Sequence, residues 1–280
     1  MYRFLNILPQ GASCHATLKT KAASTSTVHF DYHPHHEIYF CPCGIEQNVV
    51  INGQAHILNQ PSVIVNLPFS VHGMSKHNDS HGDFPRYTVY FNDEFIEREC
   101  RGAFPEGMVS ARASCIYLLT PELCDVLKTV FDRMIDAEGY PTEFAAYLIA
   151  AMHTLERLVP REDRIHGVAP EGHYIIDVLR HIYNEKRPPS ADELAREFHV
   201  SRAKLDRDFR RYVGQTLHTA LNTFRIGRAV ELLLGTDMKV RDIANECGFS
   251  DEYYFYAFFK KATGKTPLAV RREKLAQERK

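Results

Sequence analysis

Two hydrophobic periods divide this chain. Between about residues 27 and 92, apolar and polar positions alternate in short β-branched and aromatic runs, at 27–30, 37–40, 49–51, 55–58, 62–65 and 87–91, with turn residues between them. A period of two predicts strands that bury one face. Asn52-Gly53, between two of these runs, is a strong hairpin signal because both residue types tolerate positive φ. Short strands at this spacing predict a small barrel or jelly roll. Past residue 119 the period lengthens. Thr120-Pro121 opens a stretch with Leu123, Leu127, Val130, Phe131 and Met134 on one stripe, and a second helical stretch runs from about residue 142 to 158. The predicted class is α+β, an N-terminal β-barrel with helices followed by an all-α domain.

The boundary between them is read at residues 159–172, which hold two prolines and two glycines with no sustained apolar period, as a linker does. From His173 onward the chain reads as seven short helices, broken at Arg187-Pro188-Pro189, His199-Val200, Gly214, Gly235-Thr236, Gly248-Phe249 and Gly264-Lys265-Thr266-Pro267. A repeat of about fifty residues runs through them. Leu194-Ala195-Arg196-Glu197-Phe198-His199-Val200-Ser201 matches Ile243-Ala244-Asn245-Glu246-Cys247-Gly248-Phe249-Ser250, and the second copy carries one extra residue after its serine.

Each copy holds the parts of a helix-turn-helix. A small residue, Ala195 or Ala244, lets the next helix cross closely, and a serine, Ser201 or Ser250, is expected to cap the second helix. In the first copy Leu205 and Phe209, four apart, point inward and leave Arg202, Ala203, Lys204, Asp206, Arg207 and Arg210 facing out. In the second, Phe255, Phe258 and Phe259 form the inward set. Glu252, Tyr253, Tyr256, Ala257 and Lys260 are left outside, with Tyr254 open to either side. Ser190-Ala191-Asp192-Glu193 is a capping box that starts the first unit. Between the units a helix from about residue 216 to 234 carries Leu217, Leu221, Phe224, Ala229, Leu232 and Leu233, a strut that would fix the spacing of the two reading helices.

The charge agrees with a polyanion partner for this half. Residues 1–172 hold 13 Lys/Arg against 20 Asp/Glu, a net −7, whereas residues 173–280 hold 21 against 15, a net +6. The longest apolar stretch, from Phe144 to Met152, is about half of the ~20 residues a membrane span needs, so no membrane partner and a cytoplasmic location are expected. Seven cysteines, an odd number and scattered, read as reduced thiols rather than a disulfide framework.

The segment 173–275 resembles the DNA-binding domain of AraC/XylS-type transcription regulators. Phe224-Arg225-Ile226-Gly227-Arg228-Ala229 with Leu232-Leu233 resembles that family's linker-helix signature. The stretches from Asp242 to Asp251 and from Phe259 to Pro267 resemble its second-unit signature. The resemblance implies double-stranded promoter DNA as a partner, activation through RNA polymerase, and base contacts at Ala203, Asp206 and Arg207 and at Tyr253, Tyr256 and Ala257. Arg202, Lys204, Arg210, Lys260 and Lys261 are the further candidate DNA contacts. Three departures stand out: Ala257 occupies a place the family usually gives a long polar residue, Lys239 a place commonly held by a serine cap, and Asp206 on the reading face cannot bind phosphate but could accept from a cytosine amino group.

The N-terminal part, residues 1–158, resembles the cupin-like sensor domain that precedes the DNA-binding domain in many of these regulators. The matching residues are His33-Pro34-His35-His36-Glu37-Ile38-Tyr39-Phe40, the Asn52-Gly53 hairpin and Pro68-Phe69-Ser70-Val71-His72. The resemblance implies a small effector, often a sugar, bound in the barrel mouth, and a homodimer formed through the paired helices. His33, Glu37, Tyr39 and His72 are the candidate pocket residues. His33, His35, Glu37 and His72 are also donors suited to a transition metal, as in enzymatic cupins. Glu37, however, comes earlier than the glutamate of the cupin pattern, and the expectation is a ligand-lining role with no metal and no cofactor. With no nucleophile motif or phosphate loop, no catalysis is expected.

Overall fold

The computed structural model describes residues 2–4, 8, 12–19, 30–44, 46–52, 54–76, 85–105, 114–166, 174–185 and 187–277. The chain divides into two compact units, Met1–His173 and Tyr174–Lys280.

In the first unit eleven described strands run Tyr2–Phe4 (β1), Cys14–Lys19 (β2), Phe30–Tyr32 (β3), His36–Cys41 (β4), Gln47–Ile51 (β5), Gln54–Leu58 (β6), Ser62–Asn66 (β7), His72–Lys76 (β8), Arg86–Phe91 (β9), Cys115–Leu118 (β10) and Arg164–His166 (β11). They form two sheets, ordered β1-β3-β8-β5-β6 and β11-β10-β7-β4-β9-β2. All pairs are antiparallel except β1 with β3.

Strand β4 shows how the sequence makes this arrangement. Its side chains alternate, so Ile38 and Phe40 enter one core while Glu37, Tyr39 and Cys41 face the other way. Tyr39 and Cys41 share their core with Val49, Ile51 and Leu58 of the other sheet, which places apolar residues of both sheets in one layer. The opposite face of β4 packs, with β7 and β9, on two helices, Pro121–Asp136 (α1) and Pro141–Leu158 (α2). Thr120 caps α1 by accepting from the Leu123 N–H at 3.3 Å, and Leu123, Leu127, Phe131 and Met134 are buried as their spacing predicts. The middle of the six-stranded sheet, at β4 and β7, is thus buried on both faces, which explains why every residue of β7 is buried, whereas the edge strands β2 and β11 are partly exposed.

The class is α+β as expected, but the expected barrel is not closed. Described strands end at β1 and β6 in one sheet and at β11 and β2 in the other, and the sheets meet face to face instead of joining edges. The Asn52-Gly53 hairpin is present as the pairing of Ile51 with Gln54, and Asn52 has φ 49. Gly53, the 27–29 part of the first expected strand, and residues 167–172 of the expected linker lie outside the described residues. The earlier part of that linker is ordered. Arg164–His166 adds β11 to the sheet edge, and the Arg164 guanidinium binds Glu156 Oε2 at 2.9 Å and the Val159 carbonyl at 3.0 Å.

Among its described residues the second unit holds the seven helices expected: Tyr174–Asn184 (α3), Ala191–Glu197 (α4), Arg202–Val213 (α5), Leu217–Gly235 (α6), Val240–Glu246 (α7), Glu252–Thr263 (α8) and Pro267–Gln277 (α9). The C-terminal half of α6, through Ile226, Ala229, Leu232 and Leu233, shares a core with α7 and α8. Among the described residues no helix is long and apolar enough to cross a membrane.

Candidate functional site

Two candidate sites emerge, one in each unit. In the second unit the two helix-turn-helix copies are built alike. Helices α4 and α7 end in the same bond pattern, Val200 N–H to Ala195 O at 3.0 Å and Phe249 N–H to Ala244 O at 2.9 Å, with His199 at φ 53 and Gly248 at φ 79. The capping box at Ser190 is complete: Glu193 N–H donates to the Ser190 hydroxyl at 3.2 Å, and Ser190 N–H donates to Glu193 at 2.6 Å. Ser201 caps α5 by accepting from Lys204 N–H at 3.2 Å. The expected cap at Ser250 is corrected. Asp251 holds that role, accepting from Tyr254 N–H at 2.9 Å, because the extra residue of the second copy delays the helix by one position. Lys239 makes no side-chain cap on α7, as its residue type predicts.

Leu205 and Phe209 are fully buried, and Arg202, Ala203, Lys204, Arg207 and Arg210 are exposed on α5, with Asp206 half-buried. Carboxylates organise these cations. Arg202 pairs with Asp206 at 2.8 Å and with Asp192 at 3.1 Å, and Asp208 accepts from Lys204 and from the Tyr174 hydroxyl. On α8 Phe255 and Phe259 are buried, while Phe258 is only partly so. Tyr253 is 91% exposed, and Ala257, Lys260 and Lys261 are also exposed. Tyr256, expected outside, is half-buried with its ring edge-on to Phe255 at 6.0 Å. Tyr254 turns toward α6, where its hydroxyl accepts from the Asn222 amide at 3.1 Å. Each unit therefore presents a helix whose outer face is open and whose inner face is fixed by two phenylalanines or their equivalent.

In the first unit Glu37 lies at the centre of the second site. Across the sheet it stands directly opposite Asn66 of β7 and Tyr90 of β9. The Tyr90 hydroxyl donates to Glu37 Oε1 at 3.2 Å, and the Asn66 amide donates to Oε2 at 3.4 Å. On the same Oε2 converge His33 Nε2, at 3.2 Å, and His72 Nε2, at 2.6 Å. All three of these side chains are buried. The far nitrogen of each ring is held by backbone: His33 Nδ1 donates to the His35 carbonyl at 3.0 Å and His72 Nδ1 to the Ser70 carbonyl at 2.9 Å. A carbonyl only accepts, so both Nδ1 atoms carry hydrogen and both Nε2 atoms are turned to the carboxylate.

Burial opposes ionisation of Glu37, but the His72 and His33 imidazoles outweigh it and hold the carboxyl well below the usual range. Burial likewise pulls His72 down, and the Glu37 charge and hydrogen bond more than reverse it, so the His72 pKa is raised. His35 is different. Burial, then the charges of His33 and His36, lower it to about 4. Of the four residues expected in the pocket, the structure brings His33, Glu37 and His72 together. Tyr39 shares their face of the sheet, but its hydroxyl donates to Gln47 at 3.2 Å. Tyr90 and Asn66 were not singled out from the sequence, because only strand register puts them beside Glu37.

Residues 20–152 match the model of the AraC-like ligand binding domain, and residues 194–273 match a helix-turn-helix domain. The Xylose operon regulatory protein of Escherichia coli (strain K12) is 30% identical over 140 residues, 50% of this chain and 34% of that protein. The HTH-type transcriptional activator RhaR of Escherichia coli O1:K1 / APEC is 35% identical over 82 residues, 29% of each chain. The chain thus spans about a third of the length of the curated relatives it matches. A crystal structure of ToxT from Vibrio cholerae O395 aligns at a TM-score of 0.49 and 13% identity, over 92% of this chain and 97% of that one.

Proposed function

The chain belongs to the AraC-type family of regulators, and from that premise we propose that it is a sequence-specific DNA-binding transcription activator controlled by a small effector. One observation carries the reading: the same chain holds a ligand-binding-type sandwich and, after it, two like-built helix-turn-helix units whose second helices present open faces. Residues 1–158 act as sensor and dimerisation domain, 159–172 as linker and 173–280 as DNA-binding domain. Arg202, Ala203, Lys204, Asp206, Arg207 and Arg210 read one major groove. Tyr253, Tyr256, Ala257, Lys260 and Lys261 meet the next.

The effector is a sugar bound among His33, Glu37, Tyr39 and His72, a class supported by the Xylose operon regulatory protein among the relatives. The chain works as a homodimer through α1 and α2, on which Val126 and Leu158 are exposed apolar residues. RNA polymerase is its second macromolecular partner, it acts in the cytoplasm where its DNA lies, and it performs no catalysis. A genome-wide map of bound sites, followed by titration of the recovered operator, tests this. We expect few sites and an operator-to-random affinity ratio of at least ~10³. Equal affinity for every sequence would overturn the reading.

A further inference from the structure

We propose that His33, Glu37 and His72 form a binding site for a divalent first-row transition-metal ion, on whose open positions an oxygen-rich effector docks. The docking clause rests on the sensor reading above; the ion site itself rests on geometry. Two imidazole nitrogens and one carboxylate oxygen, all buried, lie within 4.8 Å of one another. Neutral imidazole and carboxylate are the donor set that zinc, iron, nickel and cobalt prefer. Cis ligands about 2.1 Å from an ion stand roughly 3 Å apart. The Nε2 atoms of His33 and His72 are 3.2 and 2.6 Å from Glu37 Oε2.

The surroundings have the form that metal ligands need. Both rings have their Nδ1–H committed to backbone carbonyls, which fixes the tautomer that leaves Nε2 free to ligate. Glu37 is held from behind by Tyr90 and Asn66. A second observation points to a ligand here. Asn66 Oδ1 is a buried acceptor with no hydrogen-bond partner among the described residues, beside the same carboxylate, and water or a hydroxyl on the ion would supply its donor. Entry of the ion takes the place of any hydrogen that either Nε2 shares with Glu37, so each hydrogen displaced leaves as a proton. The set differs from the His-x-His pattern of enzymatic cupins, because His35 is not among the converging donors.

The test uses the untagged full chain, stripped with chelator and titrated with cobalt(II) or zinc(II) chloride alone by calorimetry and, for cobalt, by its visible band. We expect one equivalent bound, with affinity at least ~100-fold weaker in Glu37→Gln and His72→Ala and ~10-fold weaker in Tyr90→Phe. His35→Ala, which keeps the carbonyl that orients His33, should bind as the parent does. Far-UV circular dichroism and thermal melting show whether each variant is folded. Absence of saturable binding by the parent, or affinity unchanged in folded Glu37→Gln and His72→Ala, overturns the site, as does a loss in folded His35→Ala equal to theirs. Operator binding is a separate readout: its persistence without metal binding sinks the ion site alone, whereas its absence sinks the regulator reading and leaves the titration intact.

Discussion

The buried Asn222 amide on α6 donates to the Tyr254 hydroxyl on α8 at 3.1 Å, and its own oxygen accepts from Arg225 at 3.3 Å. Asn222 is 1% exposed, so this amide has little access to water in compensation. The bond fixes the rotation of the second reading helix against the connecting helix. Tyr254→Phe should therefore lower stability by about 1–3 kcal/mol, the cost of leaving a buried donor short of a partner. Urea denaturation followed by the helical signal measures it, and a double-mutant cycle with Asn222→Ala should give a coupling of about 0.5–3 kcal/mol. Strictly additive losses would show that the two groups do not act together.

His199 and Gly248 hold the same place in the two turns, and both have positive φ, 53 and 79. Glycine adopts that conformation freely, whereas a side chain is strained there. His199 is exposed, so little packing is lost with its ring. His199→Gly should raise the unfolding free energy by about 0.5–1 kcal/mol, and Gly248→Ala should lower it by more than about 1 kcal/mol. Thermal melts of the two variants, read together, check the argument through their opposite signs.

The seven cysteines are all free, and burial raises every one of their pKa values. Cys14, Cys100, Cys115 and Cys124 are pushed up to about 11, and Cys247 to about 12. The thiolate is the nucleophile, so at about pH 8 a thiol with a pKa of 11 reacts through roughly 0.1% of its population. Ellman's reagent at that pH should label the native chain slowly and the denatured chain at once at all seven positions. Rapid labelling of several thiols in the native state would contradict this assignment.

The parts of the fold written in local periodicity and capping chemistry were legible. Leu205 and Phe209, the Ser190 box and the stripe of α1 all stand where their spacing puts them. What spacing could not give is register. Tyr90 and Asn66 are 53 and 29 residues from Glu37 in sequence, and they reach it only because β4 lies between β7 and β9. Closure of the barrel failed for a related reason, since local pattern says which face of a strand is buried but not whether the edges meet. The cap at Ser250 failed by one residue, because serine and aspartate both accept at a helix start and only the backbone decides which is last outside.

The reading face of α5 is partly self-neutralised, and this bears on how it meets DNA. Arg202 is held by Asp206 and Asp192, and Asp208 binds Lys204, with Arg207 at 3.4 Å. Exposed pairs of this kind are weak, so phosphate can displace them, but Asp206 repels a polyanion wherever it does not meet a cytosine amino group. Asp206→Ala should leave Arg202 held by Asp192 alone, strengthen binding to random sequence and steepen its salt dependence. Arg207, whose side chain is 70% exposed, should behave in the opposite way: Arg207→Ala costs about 1–3 kcal/mol at the operator and relaxes preference at one position. Lys260→Ala should weaken binding to all sequences and shallow the salt slope by about one unit. Titrations of the three variants on operator and random duplex at several salt concentrations separate these outcomes. An unchanged operator preference in Arg207→Ala would move base reading away from α5.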